Sequence, residues 1–309
     1  MSGLRYVVTA GVALLLSLSL LAQQSPEAEK TGRGECASRP GLAACAAQAL
    51  AVPSTSPGSA DRFDSLAAGD WKLAFDDDCT GMWQDKWVLD GEMAHIEHSD
   101  KGMTLFTGEW SAKDKAHAVL WTKKSFEGDL KIEYDFTRID TDTLHNLVNI
   151  IYIEATGSGE GDYARDIMQW SDLRRVPAMK LYFDNMNTYH ISYAVRGDPD
   201  TDEYIRARRY MPDKKTGLKG TEMHPEYGRE GLFQPGVTYR LTFIKSGKTL
   251  YMNVRDSENL NRTFFFDASD FPPITEGYIG LRQMGGRTST YKNFRVYLMQ
   301  HKPFGSAGP

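Results

Sequence analysis

The chain has 309 residues, with 36 Lys and Arg against 41 Asp and Glu and a formal net charge of −5. Such a balance offers nucleic acid no overall attraction. The 3 Cys are too few for a disulfide framework or a cysteine metal centre.

Residues 1–22 read as a signal peptide: Arg5 gives a positive start, and Val7–Ala22 is an apolar run too short for a stable membrane span. Cleavage after Ala22 would yield a secreted or periplasmic protein without membrane contact. Residues 23–67 shift to Gln, Ser, Pro, Ala and Gly, with almost no aromatic side chain. That composition reads as disordered linker, because it buries too little apolar surface to offset chain entropy. Cys36 and Cys45 lie in it and could pair after export, which leaves Cys79 alone in the folded part. A Cys79 nucleophile would need His95 or His98 beside it. Residues 68–300, about 235 in number, fit one domain, and 301–309 form a tail.

Within the domain, short β-rich runs alternate with turn signals: WKLAFDDD, GMTLFTG, HAVLWTKKSFEG, LKIEYDFTRID, VNIIYIEATG, MKLYFDN and YHISYAV. VTYRLTFIKSG and TLYMNVRD form the clearest hairpin, with the turn at SGK. RTFFFDAS, GYIGLRQM and YKNFRVYLM follow, the last two burying Ile279, Leu281, Phe294 and Val296. About a dozen strands and one short helix candidate, GDYARDIMQWSDLRR, predict an all-β, two-sheet antiparallel jelly-roll sandwich. Long connections near 157–176 and 197–237 are where binding residues would sit.

The stretch Val148–Tyr210 carries the chemistry. Side chains alternate along a strand, so Tyr152 and Glu154 share a face opposite Ile151 and Ile153. Tyr182 and Asp184 likewise oppose Leu181 and Phe183. His190 and Arg196 oppose Ile191, Tyr193 and Val195, while Tyr204, Arg206, Arg208 and Tyr210 line one side. An ordinary solvated sheet carries Thr, Lys and Glu; a face of Tyr, His, Asp and Arg suits a polar, anionic ligand. The plainer reading of each residue, a bonded sheet His or an amphipathic filler Tyr, is about as strong one residue at a time and weaker for the set.

The opening Trp71–Trp83 (W-x-L-x-FDDD-x-TG-x-W), Trp87–Glu92 (W-x-x-DGE), Phe126–Tyr134 and the ending Gly277–Tyr297 resemble concanavalin A-like jelly-roll domains of bacterial carbohydrate utilisation. These ends are similar to domains of the 3-keto-disaccharide hydrolase type. The centre, with MKLYFDNMNTYHISYA and RARRYMP, is closer to the YesU-like family, whose genes typically lie beside those for degrading pectin and other uronate polysaccharides. The resemblance spans about residues 68–299 and implies the fold and a carbohydrate setting; it carries over no catalytic residue.

Cleaving a uronate glycan by β-elimination needs a group to neutralise the carboxylate, a base for the C5 proton and an acid for the leaving oxygen. His190, Tyr182 and Tyr152 are candidates for proton transfer, with Tyr182 and His190 expected to face each other across a hairpin. Arg196, Arg206, Arg208 and Gln169 are candidates for the carboxylate. Polysaccharide lyase action on an acidic polysaccharide or oligosaccharide is the leading expectation. Glycoside hydrolysis would instead use a carboxylate pair, best met by Glu154 and Asp184. A non-catalytic carbohydrate-binding module would rely on stacking aromatics among Trp83, Trp87, Trp110, Trp121 and Trp170, of which Trp170 is the one expected at a ligand. No cofactor is called for. A structural Ca²⁺ at Asp76, Asp77 and Asp78 competes with the plainer reading, an Asp-rich turn.

Overall fold

The alternating runs resolve into two antiparallel sheets packed face to face. The computed structural model describes residues 58–109, 113–142, 147–195, 203–228 and 230–300. The expected signal peptide, most of the linker with Cys36 and Cys45, Trp110, Arg196 and the tail lie outside the described residues. In chain order the elements are α1 (Ser59–Ala67), β1 (Trp71–Asp77), β2 (Trp87–Asp90), β3 (His95–Ser99), β4 (Gly102–Phe106), β5 (Ala118–Glu127), β6 (Leu130–Arg138) and β7 (Leu147–Gly157). A 3-10 segment, Ile167–Arg174, leads to α2 (Met179–Asn185), β8 (Met186–Val195), β9 (Tyr204–Tyr210) and β10 (Glu222–Gly228). Then come β11 (Thr238–Ser246), β12 (Thr249–Arg255), β13 (Asn261–Asp267), β14 (Glu276–Gln283) and β15 (Thr288–Met299).

One sheet runs β2-β5-β14-β7-β8-β9 and the other β13-β12-β11-β6-β15-β4-β3, with β1 on β15 and β10 bridging β9 to β13. Strand alternation fills the space between them. Ile151, Ile153, Ile191, Tyr193, Ile205 and Leu281 from the first sheet meet Ile132, Tyr134, Leu241, Phe243, Met252 and Val296 from the second. The predicted hairpin is in place, Ser246 pairing with Thr249 around Gly247 at φ 56°. Ile279, Leu281, Phe294 and Val296 are buried as expected.

Four local expectations need correction. The end of the expected linker is α1, because Phe63 is buried against Ile244 and Tyr251 on the outside of the second sheet. MKLYFDN is a helix, not a strand: Met179, Tyr182 and Met186 repeat at helical spacing and pack on the first sheet, while Lys180 and Asp184 pair one turn apart on the other side. Short apolar runs satisfy both periods, and the helical one won. β2 and β3 lie in stretches not singled out as strands, and β10 lies inside the long 197–237 connection. Pro225 in β10 argues against a strand at the sequence level, and the register indeed shifts between Met223 and Tyr227.

Candidate functional site

The first sheet has a second core on its outer face, and Tyr152, Tyr182, His190 and Tyr210 are gathered there. Alternation places Ile150 and Tyr152 of β7 outward, opposite Ile151 and Ile153. Register sets His190 of β8 beside Tyr152 on one side and Arg208 of β9 on the other. The connection from Gly157 to Asn185 folds over this face, contributing Ile167, Trp170, Met179 and Tyr182 to its apolar packing.

Three nearly parallel rings form the floor. Trp121 and Tyr152 stack at 5.4 Å and 16°, Tyr152 and Tyr182 at 5.8 Å and 8°. Gly280 makes this possible: a Cβ there would sit 2.5 Å from the Trp121 ring. Asp90 anchors the rings through one oxygen. Its Oδ2 accepts from Trp121 Nε1 at 2.7 Å, Tyr182 Oη at 2.8 Å and Arg174 Nε at 2.6 Å. Arg174 reaches Asp90 from the end of the 3-10 segment, with its guanidinium 4.5 Å over the Trp170 ring.

Beside the rings lies a set able to move a proton. His190 Nδ1 is 2.6 Å from the Tyr210 hydroxyl, and the two rings meet edge to face at 5.2 Å. Tyr152 contacts both, at 5.8 Å from His190 and 6.0 Å from Tyr210. Arg282 of β14 is wholly buried and lies 4.8 Å from the Tyr182 ring. Its Nη2 donates to the Pro177 carbonyl at 2.7 Å and faces His117 Nδ1 at 2.9 Å. Among the described residues, His190 Nε2 and Arg282 Nε and Nη1 are buried without a hydrogen-bond partner. Burial, reinforced by Arg208, Arg282 and Arg206, holds the His190 imidazole well below its ordinary range, so it is neutral at pH 7. Burial raises the Tyr152 hydroxyl, with Arg282 pulling the other way, and raises Tyr210 well above its usual value. His117 is pushed down to about 4, by burial first and Arg282 second.

Not every expected residue joins this set. Tyr182 does so as part of α2, not as the far side of a hairpin with His190; Tyr152 stands between them. Glu154 sits at a break in register between Ile153 and Thr156, with φ 56°, and turns toward the other sheet. There its Oε1 accepts from Lys245 Nζ at 3.1 Å, and burial raises its carboxyl to about 8. Asp184 pairs with Lys180 on the outer side of α2, so the Glu154–Asp184 pair required for hydrolysis is not assembled. Arg206 pairs with Glu226 at 2.7 Å and stacks on Tyr204, and Arg208 pairs with Glu222 at 2.7 Å. Gln169 is exposed and donates to Asp166 at 3.3 Å. Trp170 is buried, its indole donating to Ala164 O at 2.9 Å, which corrects the expectation of a ligand-facing ring.

Sequence reasoning placed Tyr210 on the right face without giving it a role, and it passed over Arg282, Asp90 and Arg174. The signal for Arg282 was present: burying Ile279 and Leu281 inward commits Arg282 to the opposite face. The Asp76–Asp78 carboxylates diverge: Asp76 accepts from Arg295, Asp77 from Trp87 and Lys86, and Asp78 from Thr80. Among the described residues no three His, Cys, Asp or Glu groups gather to hold a metal ion. Cys79 is buried, its thiol pushed up to about 12 by burial, which keeps it from thiolate chemistry. His95 stacks on Phe106 at 4.5 Å and His98 is exposed.

An open cavity of about 790 Å³ lies on the far side of α2, between the 158–163 loop, the end of the helix and residues 212–217. Asp184, Lys180 and Asn185 line it.

Residues 80–296 match the model of a family described as a domain of unknown function, DUF1961. The chain is 24% identical over 216 residues to the uncharacterized protein YesU of Bacillus subtilis (strain 168), covering 68% of this chain and 88% of that protein. A crystal structure of a Bacillus subtilis protein of unknown function with a galectin-like fold superposes with a TM-score of 0.56 at 20% identity. That alignment covers 75% of this chain and all of the other.

Proposed function

The chain belongs to the DUF1961 family, and from that premise we propose that it is an exported glycan-active protein that binds an acidic sugar on the outer face of its first sheet and cleaves it by β-elimination. The observation that carries this reading is the convergence of His190, Tyr210, Tyr152 and Arg282 from four adjacent strands, with His190 Nε2 and two Arg282 nitrogens buried and unpartnered. Buried polar atoms without partners oppose folding. A carboxylate beside Arg282 would satisfy its two nitrogens with charge-assisted hydrogen bonds, and a proton of the ligand would satisfy His190 Nε2.

This reading gives each residue a role. Arg282 holds the uronate carboxylate and delocalises the charge that develops when C5 loses its proton. With Nδ1–H donated to the Tyr210 oxygen, His190 presents its Nε2 lone pair as the base, and burial keeps it neutral for that task. The C5 electron pair forms the C4–C5 double bond as the C4–O bond breaks. Tyr152, whose hydroxyl stays protonated, donates its proton to the leaving oxygen. Reaching these atoms requires the segment from Pro177 to Tyr182 to lift, since Pro177 bonds Arg282 and Met179 lies 4.0 Å from the Tyr152 hydroxyl.

The test is absorbance near ~235 nm, where a conjugated unsaturated uronate absorbs, with the mature protein incubated on a panel of uronate polysaccharides. A rise that falls by about 10²–10⁴ in His190→Ala and Tyr152→Phe variants supports the reading. New reducing ends without the absorbance would replace elimination with hydrolysis by another constellation.

Carbohydrate binding without catalysis is the second reading. It is favoured by one observation, that His190 and Tyr152 are closed off from solvent while the cavity beyond α2 is open. Affinity with no turnover of any kind would select it.

A further inference from the structure

The cavity beyond α2 differs from the buried set in its chemistry. Glu160, Tyr163, Lys180, Asp184 and Lys215 line it, which is two carboxylates, two ammonium groups and one phenol. Lys180 is already committed to Asp184. Glu160 and Lys215 are exposed, and among the described residues the Glu160 carboxylate, the Lys215 ammonium and the Tyr163 hydroxyl have no hydrogen-bond partner. The charges balance, so the cavity offers an anion no net attraction of the kind Arg282 offers on the other side of the helix. It has acceptors and donors in equal measure, the pairing that sugar hydroxyls require. Tyr163 adds a ring that is only partly buried, held edge-on to Trp170 at 5.3 Å. The site is firmly built: Gly157 N bonds Arg165 O at 2.9 Å, Ser158 N bonds Asn185 O at 2.9 Å, and Gly159 N bonds Tyr163 O at 2.8 Å.

α2 separates the two places. One side of the helix presents Met179 and Tyr182 to the buried set and packs Phe183 on Tyr210 at 6.3 Å; the other presents Lys180 and Asp184 to the cavity. A glycan chain crossing this short helix would put chemically different residues on its two sides.

We propose that the cavity is a subsite for an uncharged, hydroxyl-rich glycosyl residue, so that the ligand is a mixed glycan joining an acidic to an uncharged sugar. The mixed ligand rests on the acidic-sugar reading above; the subsite does not. Glu160 and Asp184 accept from sugar hydroxyls, Lys215 donates to them, and Tyr163 stacks on the apolar face of the ring.

The experiment is isothermal titration of the mature protein with short uncharged oligosaccharides of glucose, galactose, mannose and rhamnose, and with oligogalacturonate. The subsite predicts that at least one uncharged oligosaccharide binds, and that Tyr163→Ala and Glu160→Gln each weaken that binding about tenfold or more. A folded His190→Ala variant should keep it within about twofold. Absence of binding by every uncharged oligosaccharide overturns the subsite, as does binding unchanged by both cavity variants. Binding that is lost in His190→Ala and kept in the cavity variants places the sugar on the buried side and also overturns it. A failure of elimination appears separately, as intact uncharged-sugar binding with no absorbance change on any uronate polymer.

Discussion

The two cores of this molecule stand on opposite faces of the same strands, and they are built differently. Between the sheets, Ile151, Ile191, Ile205 and Leu281 meet Phe243, Met252 and Val296, and the Tyr134 and Tyr193 hydroxyls bond each other at 3.2 Å. On the outer face, buried among equally close-packed rings, are Asp90, Arg174, His190 and Arg282. Asp90 Oδ2 accepts three hydrogen bonds, whereas Arg282 and His190 leave nitrogens unpartnered. The inner face is apolar along most of its contact, and its buried Glu154 and Lys245 are paired with each other. The outer one retains charge and incomplete hydrogen bonding in a dry setting, which disfavours folding and points to a ligand role.

Asp90→Ala leaves Arg174 as a buried, uncompensated cation and frees the Trp121 and Tyr182 donors, so a loss on the order of 3–5 kcal/mol is expected in urea unfolding. Asp90→Asn should cost less, because an amide oxygen still accepts from the two ring donors. A loss below about 1 kcal/mol for the alanine variant would mean that the outer core does not depend on this carboxylate. The next test uses neighbours on β8. Ile191→Ala should cost about 2–5 kcal/mol, as a cavity between the sheets does. His190→Ala should cost less, about 1–3 kcal/mol for the buried Tyr210 hydroxyl it leaves without a partner, yet remove turnover. Equal destabilisation by the two would make His190 a packing residue.

The sequence carried the sandwich plainly, because the apolar residues it placed at two-residue spacing, such as Ile151 and Ile153, Leu241 and Phe243, Ile279 and Leu281, and Phe294 and Val296, are the ones packed between the sheets. It also assigned His190, Tyr152 and Tyr210 to one face, since alternation follows directly from register. It did not reveal their burial. The run MKLYFDN is rich in β-forming residues and short enough to read as a strand, and only the helix, which brings Met179, Tyr182 and Met186 to one side, turns this connection into a cover over the outer face. Nor could it place Glu154, whose positive φ and register break reverse the parity counted from Ile153. Asp90 entered only as part of the W-x-x-DGE pattern, and its partner Arg174 lies far along the chain, a pairing that no local pattern encodes.

Titration separates the two sides with opposite signs. Glu154 is raised from 4.5 to about 8 by burial, with Lys245 opposing and Asp129 and Glu276 adding slightly. The folded state therefore keeps a proton that the unfolded chain releases. Glu154 contributes stability that is complete below pH 4.5 and is lost as pH rises to about 8. His190 is lowered from 6.5 by burial and by Arg208, Arg282 and Arg206, so its contribution is present above pH 6.5 and is lost as pH falls. His117, lowered to about 4, adds to the same acid limb. Thermal midpoints followed from pH 4 to 9 should then fall at both ends. Glu154→Gln should flatten the alkaline limb, by up to about 1.4 kcal/mol per pH unit, and leave the acid limb in place. His190→Gln should do the reverse. If Glu154→Gln leaves the alkaline slope unchanged, the Lys245 pair keeps that carboxylate ionised, and the inner side is as settled electrostatically as its packing is. If His190→Gln leaves the acid slope unchanged, the imidazole is hydrated in solution, which would mean that the cover formed by Pro177–Tyr182 opens without a ligand.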